Sequence, residues 1–233
     1  MQPADSRPVK VLILFYSFSA QTSGLIHRLG AGLEGQGVQL TCERLQPITP
    51  RHFPIGTMPA TLLMMFSTFL RVRIPIQPLS PACWEQYDLI VLAGPTWSYN
   101  PSGPVLSLLD RDGARLFAGR QVLPLISCRG YWRMHWLNLR WQLERCGARV
   151  VNRMIFTHPS KEPWRTIGVF LKLAGRVPER SRWLGRFYPR YGHSREQQDQ
   201  AFAFGELIGQ ALKRGSSLTD LSFASGRVGQ DGA

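Results

Sequence analysis

Residues 9–23 read VKVLILFYSFSAQTS. The first eight are almost continuously apolar rather than alternating, as a strand buried on both faces reads. The next seven, Ser17-Phe18-Ser19-Ala20-Gln21-Thr22-Ser23, are small or polar apart from Phe18, and an apolar helical pattern follows them. A structural turn needs only two or three such residues. This one offers hydroxyls, an amide and a row of backbone N–H groups at the start of a helix. That exceeds what a turn uses and points to a bound anion.

The same strand signature returns at 88–94 (DLIVLAG), 121–127 (QVLPLIS) and 149–156 (RVVNRMIF), with a weaker one at 38–43 (VQLTCE). Between them, residues 21–34, 102–110, 133–146 and 196–213 carry the spaced apolar residues of amphipathic helices. Gly35, Gly37 and Gly147 fall just past two of these as helix stops. Strands alternating with helices predict an α/β fold with a parallel sheet covered on both faces. Five strands favour the doubly wound order 2-1-3-4-5 over a barrel. The chain reads as one domain over 1–233 with two insertions, 44–84 (apolar, with seven prolines) and 157–195, and a flexible tail at 215–233.

Bulk properties narrow the function. With 44% hydrophobic and 11% aromatic residues, the chain can bury a sizeable core. Its net charge of +13 calls for an anionic partner. Cys42, Cys83, Cys128 and Cys146 are widely spaced without a C-x-x-C pair, which argues against a metal site or a disulfide framework and fits a reducing compartment. The apolar run 11–16 is shorter than the roughly 7–15 residues of a signal-peptide core. TLLMMFSTFL at 61–70 falls short of the roughly 20 residues that span a bilayer. These features predict a cytoplasmic protein, soluble or peripheral at the inner membrane.

In a doubly wound sheet, ligands bind beyond the carboxyl ends of the strands at the switch point. The loops leaving those ends are SFSAQTS, PTWSYNPSGP (95–104) and SCRGYWR (127–133). Trp97, Tyr99 and Tyr131 suit stacking on a planar ring. Pro95, Gly103 and Gly130 allow tight turns that bring backbone groups to a ring edge. A phosphate cradle beside two aromatic loops suits a mononucleotide; the plainer alternative is that Ser19 caps a helix while Trp97 and Tyr131 cover the sheet end.

With these three loops the chain resembles the flavodoxin-like FMN-binding superfamily of the NAD(P)H oxidoreductase and flavodoxin type. YSFSAQTS (16–23) is similar to its Y-S-x-T-G-N-T phosphate loop. DLIVLAGPTWSYNPSGPVLSLLDR (88–111) is similar to its second flavin loop with the helix after it, and PLISCRGYW (124–132) with LERCGARVV (143–151) to its third loop and fifth strand. Within the superfamily it most resembles a bacterial group known as dialkylresorcinol condensing enzymes, which share counterparts of ERLQPITPRHFP (43–54) and the apolar insertion. The resemblance implies a flavodoxin-like flavoprotein. Ser17, Ser19, Ala20, Gln21 and Thr22 would hold the FMN phosphate, Pro95, Thr96, Trp97, Ser98 and Tyr99 would border the isoalloxazine, and Ser127, Cys128, Arg129, Gly130 and Tyr131 would close its other side. Ala20 stands where that loop usually has Gly, and Gln21 where it usually has Asn. A Cβ at Ala20 is harmless at negative φ and costs about 1 kcal/mol at positive φ.

Electron-shuttling flavodoxins are acidic, whereas this chain is strongly basic. The expectation is therefore an oxidoreductase that passes reducing equivalents from NAD(P)H to a small quinone-like or other apolar acceptor, with the flavin doing the redox work. The alternative is a flavin-free accessory or binding protein of the same fold, attached to a membrane surface or a biosynthetic complex. No acid–base residue is assigned. Condensation through an acyl-enzyme needs an activated cysteine with a base in reach, and a C-x5-R anion loop counted from Cys128 lands on Met134, with Arg133 one short. Cys128 reads as a small loop residue.

Residues 157–195 hold nine Lys or Arg against Glu162 and Glu179, a balance of +7, interleaved with Trp164, Phe170, Trp183, Phe187, Tyr188 and Tyr191. Such a segment reads as contact with an anionic membrane or as a lid over the site. Nucleic acid would use the same charge, but no recognised motif accompanies it. A homodimer is compatible with all of this.

Overall fold

The computed structural model describes residues 7–223. In chain order it contains β1 (Lys10–Phe15), α1 (Gln21–Gly35), β2 (Gln39–Arg44), α2 (Met58–Phe69), β3 (Leu89–Trp97), β4 (Asn100–Pro101), α3 (Gly103–Phe117), β5 (Gln121–Cys128), α4 (Trp132–Arg145), β6 (Arg149–Val150), β7 (Met154–Thr157), α5 (Trp164–Leu173) and α6 (Arg195–Arg214). The sheet runs β2-β1-β3-β5-β6, parallel throughout. β7 continues the last position beside β5, and the short β4 returns antiparallel on β3. With β6 and β7 counted as one broken strand, this is the expected 2-1-3-4-5 order.

Both faces of β1 are buried, which explains its unbroken apolar run. Leu12 and Leu14 point to a cluster completed by Leu108, Leu116, Leu139 and Leu143 of α3 and α4. Val11, Ile13 and Phe15 point to the other, completed by Leu25, Leu29, Phe204 and Ile208 of α1 and α6. Each fully buried Leu or Ile contributes roughly 1.5–3 kcal/mol. The helices α1 and α6 approach so closely that a Cβ on Gly32 would lie 2.1 Å from the Phe202 carbonyl oxygen.

Three expectations need correction. The helix read as 102–110 extends to Phe117, because Leu116 and Phe117 bury beyond the charged run Asp110-Arg111-Asp112. The strand read as 149–156 is split at residues 151–153. There the side-chain amide of Asn152 turns away to donate to the carbonyls of Leu218 and Leu221, 2.9 Å each. Residues 215–223, read as the start of a flexible tail, are held by those bonds and by burial of Leu218; the rest of that tail, 224–233, lies outside the described residues.

The insertions lie against each other. The N–H groups of Ile55 and Gly56 in the first donate to the Leu173 carbonyl in the second, at 2.8 and 3.2 Å. Both gather at the carboxyl end of the sheet, where Phe53 stacks on Tyr191 with centroids 5.5 Å apart.

Candidate functional site

β1 ends when the Tyr16 N–H donates to the Ala93 carbonyl. Ser17 is buried; its carbonyl accepts from the Arg44 guanidinium at 3.1 Å, and its hydroxyl accepts from the Ser23 N–H at 3.2 Å. These two bonds curl the loop around the head of α1. Ala20, the residue before the helix, adopts φ 61° and ψ −2°, the left-handed region, and its side chain caps nothing. The costly alternative for Ala20 is thus the one realised, and Ser19 is not the cap. Among the described residues, the backbone N–H groups of 18–22 donate to no protein acceptor. They stand at the positive end of a 15-residue helix with no acidic residue in its first turn, a suitable seat for a dianionic phosphate.

The second loop is a two-residue hairpin. Trp97 pairs with Asn100, and Ser98 and Tyr99 between them take φ 42° and 68°. Positive φ at both central positions is the geometry that matches strand twist in the tightest hairpins. Two non-glycine residues hold it with help from outside. The Ser98 hydroxyl lies 2.7 Å from that of Thr68 on α2, and the Asn100 side chain donates to the Ser98 carbonyl at 2.9 Å. Trp97 turns inward, edge-on to Tyr16 at 5.5 Å and to Phe18 at 5.7 Å, so it supports the loop from below. Thr96 sits 2.6 Å from Nδ1 of the buried His135. Pro95 is the last residue of β3 paired with β5, opposite Ser127.

The third loop follows Cys128. Tyr131 is half exposed and meets Tyr99 at 5.5 Å and 65°, so the two aromatic loops touch. Arg129 lies over Tyr131 and Phe170, 5.6 Å from each ring centroid, and Arg165 from α5 lies 6.0 Å from the Tyr131 ring centroid. Gly130 leaves room for that guanidinium, since a Cβ there would meet it at 2.5 Å. The Cys128 thiol is buried, and burial pushes its pKa up to about 12. It stays protonated near neutrality; read from sequence as a loop residue, Cys128 is instead the last residue of β5, paired with Thr157.

The fifteen residues named from sequence thus converge on one end of the sheet, with Ser17, Thr22, Trp97, Ser127 and Cys128 buried there. Sequence reasoning missed the residues that close the cleft. Tyr191 is held against the side chains of Ser19 and Gln21, with Gly192 packed on Gln21. Phe18 meets Phe53 edge-on at 5.5 Å. Buried His193 joins Ser127 at 2.8 Å. The aromatic richness of the insertions was a signal for such a cover; the pairing of particular rings was not. Among the described residues, one surface cavity is lined by Gly56, Met58, Gly175 and Arg176 and another by Ser160, Trp164, Phe187 and Arg190; no residue of the three loops lines either.

No protein-family model and no curated protein sequence matches the chain. Solved structures do. A flavoprotein in complex with FMN from Lactobacillus acidophilus NCFM superposes with a TM-score of 0.51 at 19% identity, covering 63% of this chain and 93% of the other. The flavodiiron protein from Giardia intestinalis superposes with a TM-score of 0.50 at 12% identity over 88% of this chain and 36% of the other. With the parallel sheet in its observed order and the three loops at its carboxyl end, the likeness assigns this chain the flavodoxin-like fold.

Proposed function

We propose that the chain binds FMN across the three loops and acts as an oxidoreductase, passing reducing equivalents from NAD(P)H to a small quinone-like or other apolar acceptor. The observation that carries this reading is the set of unpartnered N–H groups of residues 18–22 at the head of α1, on the switch-point side of the sheet. Ser17, Ser19, Ala20, Gln21 and Thr22 would surround the phosphate. Pro95, Thr96, Ser98 and Tyr99 would lie along one edge of the ring, and Ser127, Cys128, Arg129, Gly130 and Tyr131 along the other. Trp97 would act through Phe18 and Tyr16. Bound there, FMN would supply the redox chemistry. The protein's part is to position it and to set the charge around it.

The chain's own residues suit that part. Tyr99 and Tyr131 are both half exposed, so they can part to admit a flat ring at little packing cost. Arg129 and Arg165 bring positive charge beside Tyr131, which would favour a negatively charged reduced flavin or a nicotinamide phosphate held nearby. Buried Cys128 offers no thiolate, so the acyl-enzyme chemistry suggested by the resemblance to dialkylresorcinol condensing enzymes is not favoured.

A second reading rests on the cover. Tyr191 over Ser19 and Gln21, and Phe53 stacked on Tyr191, also describe a flavin-free binding protein whose cleft is filled by its own aromatics. Equilibrium dialysis of the purified protein against FMN separates the two. Retained yellow flavin, weakened by Thr22→Asp through charge against the phosphate, supports the enzyme. Protein that stays colourless in excess FMN leaves the accessory role.

A further inference from the structure

Helix α2 is built inside out. Its 12 residues begin after Thr57, whose side chain accepts the Ala60 N–H, and carry Pro59 in the first turn. At about 100° per residue, Met58, Leu62, Leu63, Phe66, Phe69 and Leu70 fall on one continuous arc. All six are exposed, Leu63 by 70%. The buried positions on the opposite side are Thr61 and Thr68. Their hydroxyls are satisfied locally, donating to the carbonyls of Thr57 and Met65 at 2.8 and 2.9 Å. A surface helix in water shows the reverse pattern, apolar in and polar out. Leucine and phenylalanine outside, with threonine and the part-buried Met64 inside, mean that the medium facing α2 is itself apolar.

The ground beside α2 is basic. The backbone bonds from Ile55 and Gly56 to Leu173 set the start of α2 against Gly175 and Arg176. The chain then runs through exposed Arg176, Arg180, Arg182, Arg186 and Arg190, with Trp183 and Phe187 exposed among them. Among the described residues these five arginines form no ion pair. The two carboxylates of that insertion are already taken, Glu162 by Arg165 and Glu179 by Lys172. Residues 45–84 contain no Asp or Glu at all.

We propose that α2 and the arginine-rich turn beside it form a docking surface for an anionic lipid bilayer, with α2 lying in the plane of the interface. A helix of this length rises about 18 Å, too little to cross the hydrocarbon, and no helix among the described residues is long and apolar enough to do so. An apolar face flanked by arginine, tryptophan and phenylalanine is the chemistry of interfacial attachment, in which acyl chains take the leucines and headgroup phosphates take the arginines. A second copy of this chain would bring one basic surface against another at a net charge of +13 each, whereas an anionic bilayer matches both features. The surface acts whether or not the three loops hold FMN.

Flotation with vesicles tests it. The full chain should float with vesicles of phosphatidylcholine containing phosphatidylglycerol and stay behind with phosphatidylcholine alone, and rising salt should release it. The double substitution Leu63→Glu with Phe66→Glu should lower the bound fraction about tenfold or more. Arg180→Glu with Arg182→Glu should lower it about fivefold for each arginine lost. All four positions are exposed, so the variants should keep the wild-type circular dichroism and melting temperature. Wild type that ignores the anionic vesicles overturns the proposal, and so does an α2 variant that floats undiminished. Light scattering showing a wild-type dimer that the α2 variant dissociates, with neither floating, would give the face to a second copy and equally overturn it.

Discussion

The Ser127 hydroxyl lies 2.8 Å from Nε2 of His193, tying the end of β5 to the last residues of the second insertion. Nδ1 of the same ring faces the Gln197 side-chain oxygen at 3.3 Å, an acceptor, so Nδ1 carries the proton and Nε2 accepts from Ser127. The neutral ring is the one this arrangement needs. Burial lowers the His193 pKa to about 4. Burial, then the charges of His193, Arg165 and Arg190, lowers His158 to about 4, and burial lowers His135 to about 3.

Acid should therefore loosen the fold. The unfolded chain protonates these histidines near pH 6.5, whereas the folded chain resists until about pH 4 at His193 and His158 and about pH 3 at His135. Their contribution is complete above pH 6.5 and is lost as pH falls through that window, by about 3 kcal/mol per histidine. Urea midpoints measured across the window should fall steadily, and His193→Gln should flatten the slope. A midpoint independent of pH from 6.5 to 4 would contradict the assignment of neutral buried rings.

Ala20 is an L-residue in a conformation that favours glycine. Ala20→Gly relieves about 1–2 kcal/mol of backbone strain and returns about 0.5–1 kcal/mol as unfolded-state entropy. A net gain of about 0.5 kcal/mol is expected from those terms, with Ala20→Val destabilising because a β-branched side chain tolerates positive φ least. Chemical denaturation of the three proteins side by side is the check. A Gly variant less stable than wild type would mean that the loop does not hold positive φ in solution.

The close crossing of α1 and α6 makes a sharper demand. A Cβ on Gly205 would lie 2.2 Å from the Leu29 carbonyl oxygen, and no flexible side chain is there to yield. Gly205→Ala should cost about 1–3 kcal/mol by overpacking. Gly35→Ala, in the last turn of α1 with open space around it, serves as the control and should be neutral or stabilising by up to about 1 kcal/mol. Equal effects at the two positions would refute the crossing.

The elements legible in sequence were those whose burial is set locally. β1, β3 and β5 announce themselves because nearly every side chain is buried on one face or the other, and α1, α4 and α6 lie within about two residues of their apolar periodicity. The sequence shows α3 only in part, because its charged Asp110-Arg111-Asp112 run hides that Gly113 packs against Cys146 and that the helix continues. The last strand was read whole because its break depends on Asn152 reaching residues near 218–221. At the site, the loops followed from strand ends and composition. Trp97 was placed at the ring because its inward turn depends on Tyr16 and Phe18, a packing relation without sequence spacing. The closure of Phe53 on Tyr191 joins two insertions far apart in the chain, and no local pattern encodes it.

Cys128 sits where a nucleophile would be sought, at the third loop, yet its thiol is held protonated by burial, with a pKa near 12. Iodoacetamide at neutral pH should leave Cys128 unmodified in the native protein and label it after denaturation, as mass spectrometry of the peptides would show. Rapid native labelling at Cys128 would reopen the acyl-enzyme chemistry set aside above.

Tyr191 decides whether the phosphate loop is accessible. Its ring stacks on Phe53 at 5.5 Å and 12°, Lys172 lies over it at 5.4 Å, and it is held against Ser19 and Gln21. Tyr191 thus brings an aromatic cover made by both insertions onto the side chains flanking Ala20, which itself stays exposed. A ligand that needs the cover open binds with its intrinsic affinity reduced by the open fraction. Tyr191→Ala removes the cover without touching a loop residue, so FMN should associate faster and bind about tenfold tighter if the open state is roughly a tenth of the population. Stopped-flow quenching of flavin fluorescence measures both quantities. Weaker binding in Tyr191→Ala would instead make the tyrosine a direct contact of the ligand, and its closed position would then be the bound one.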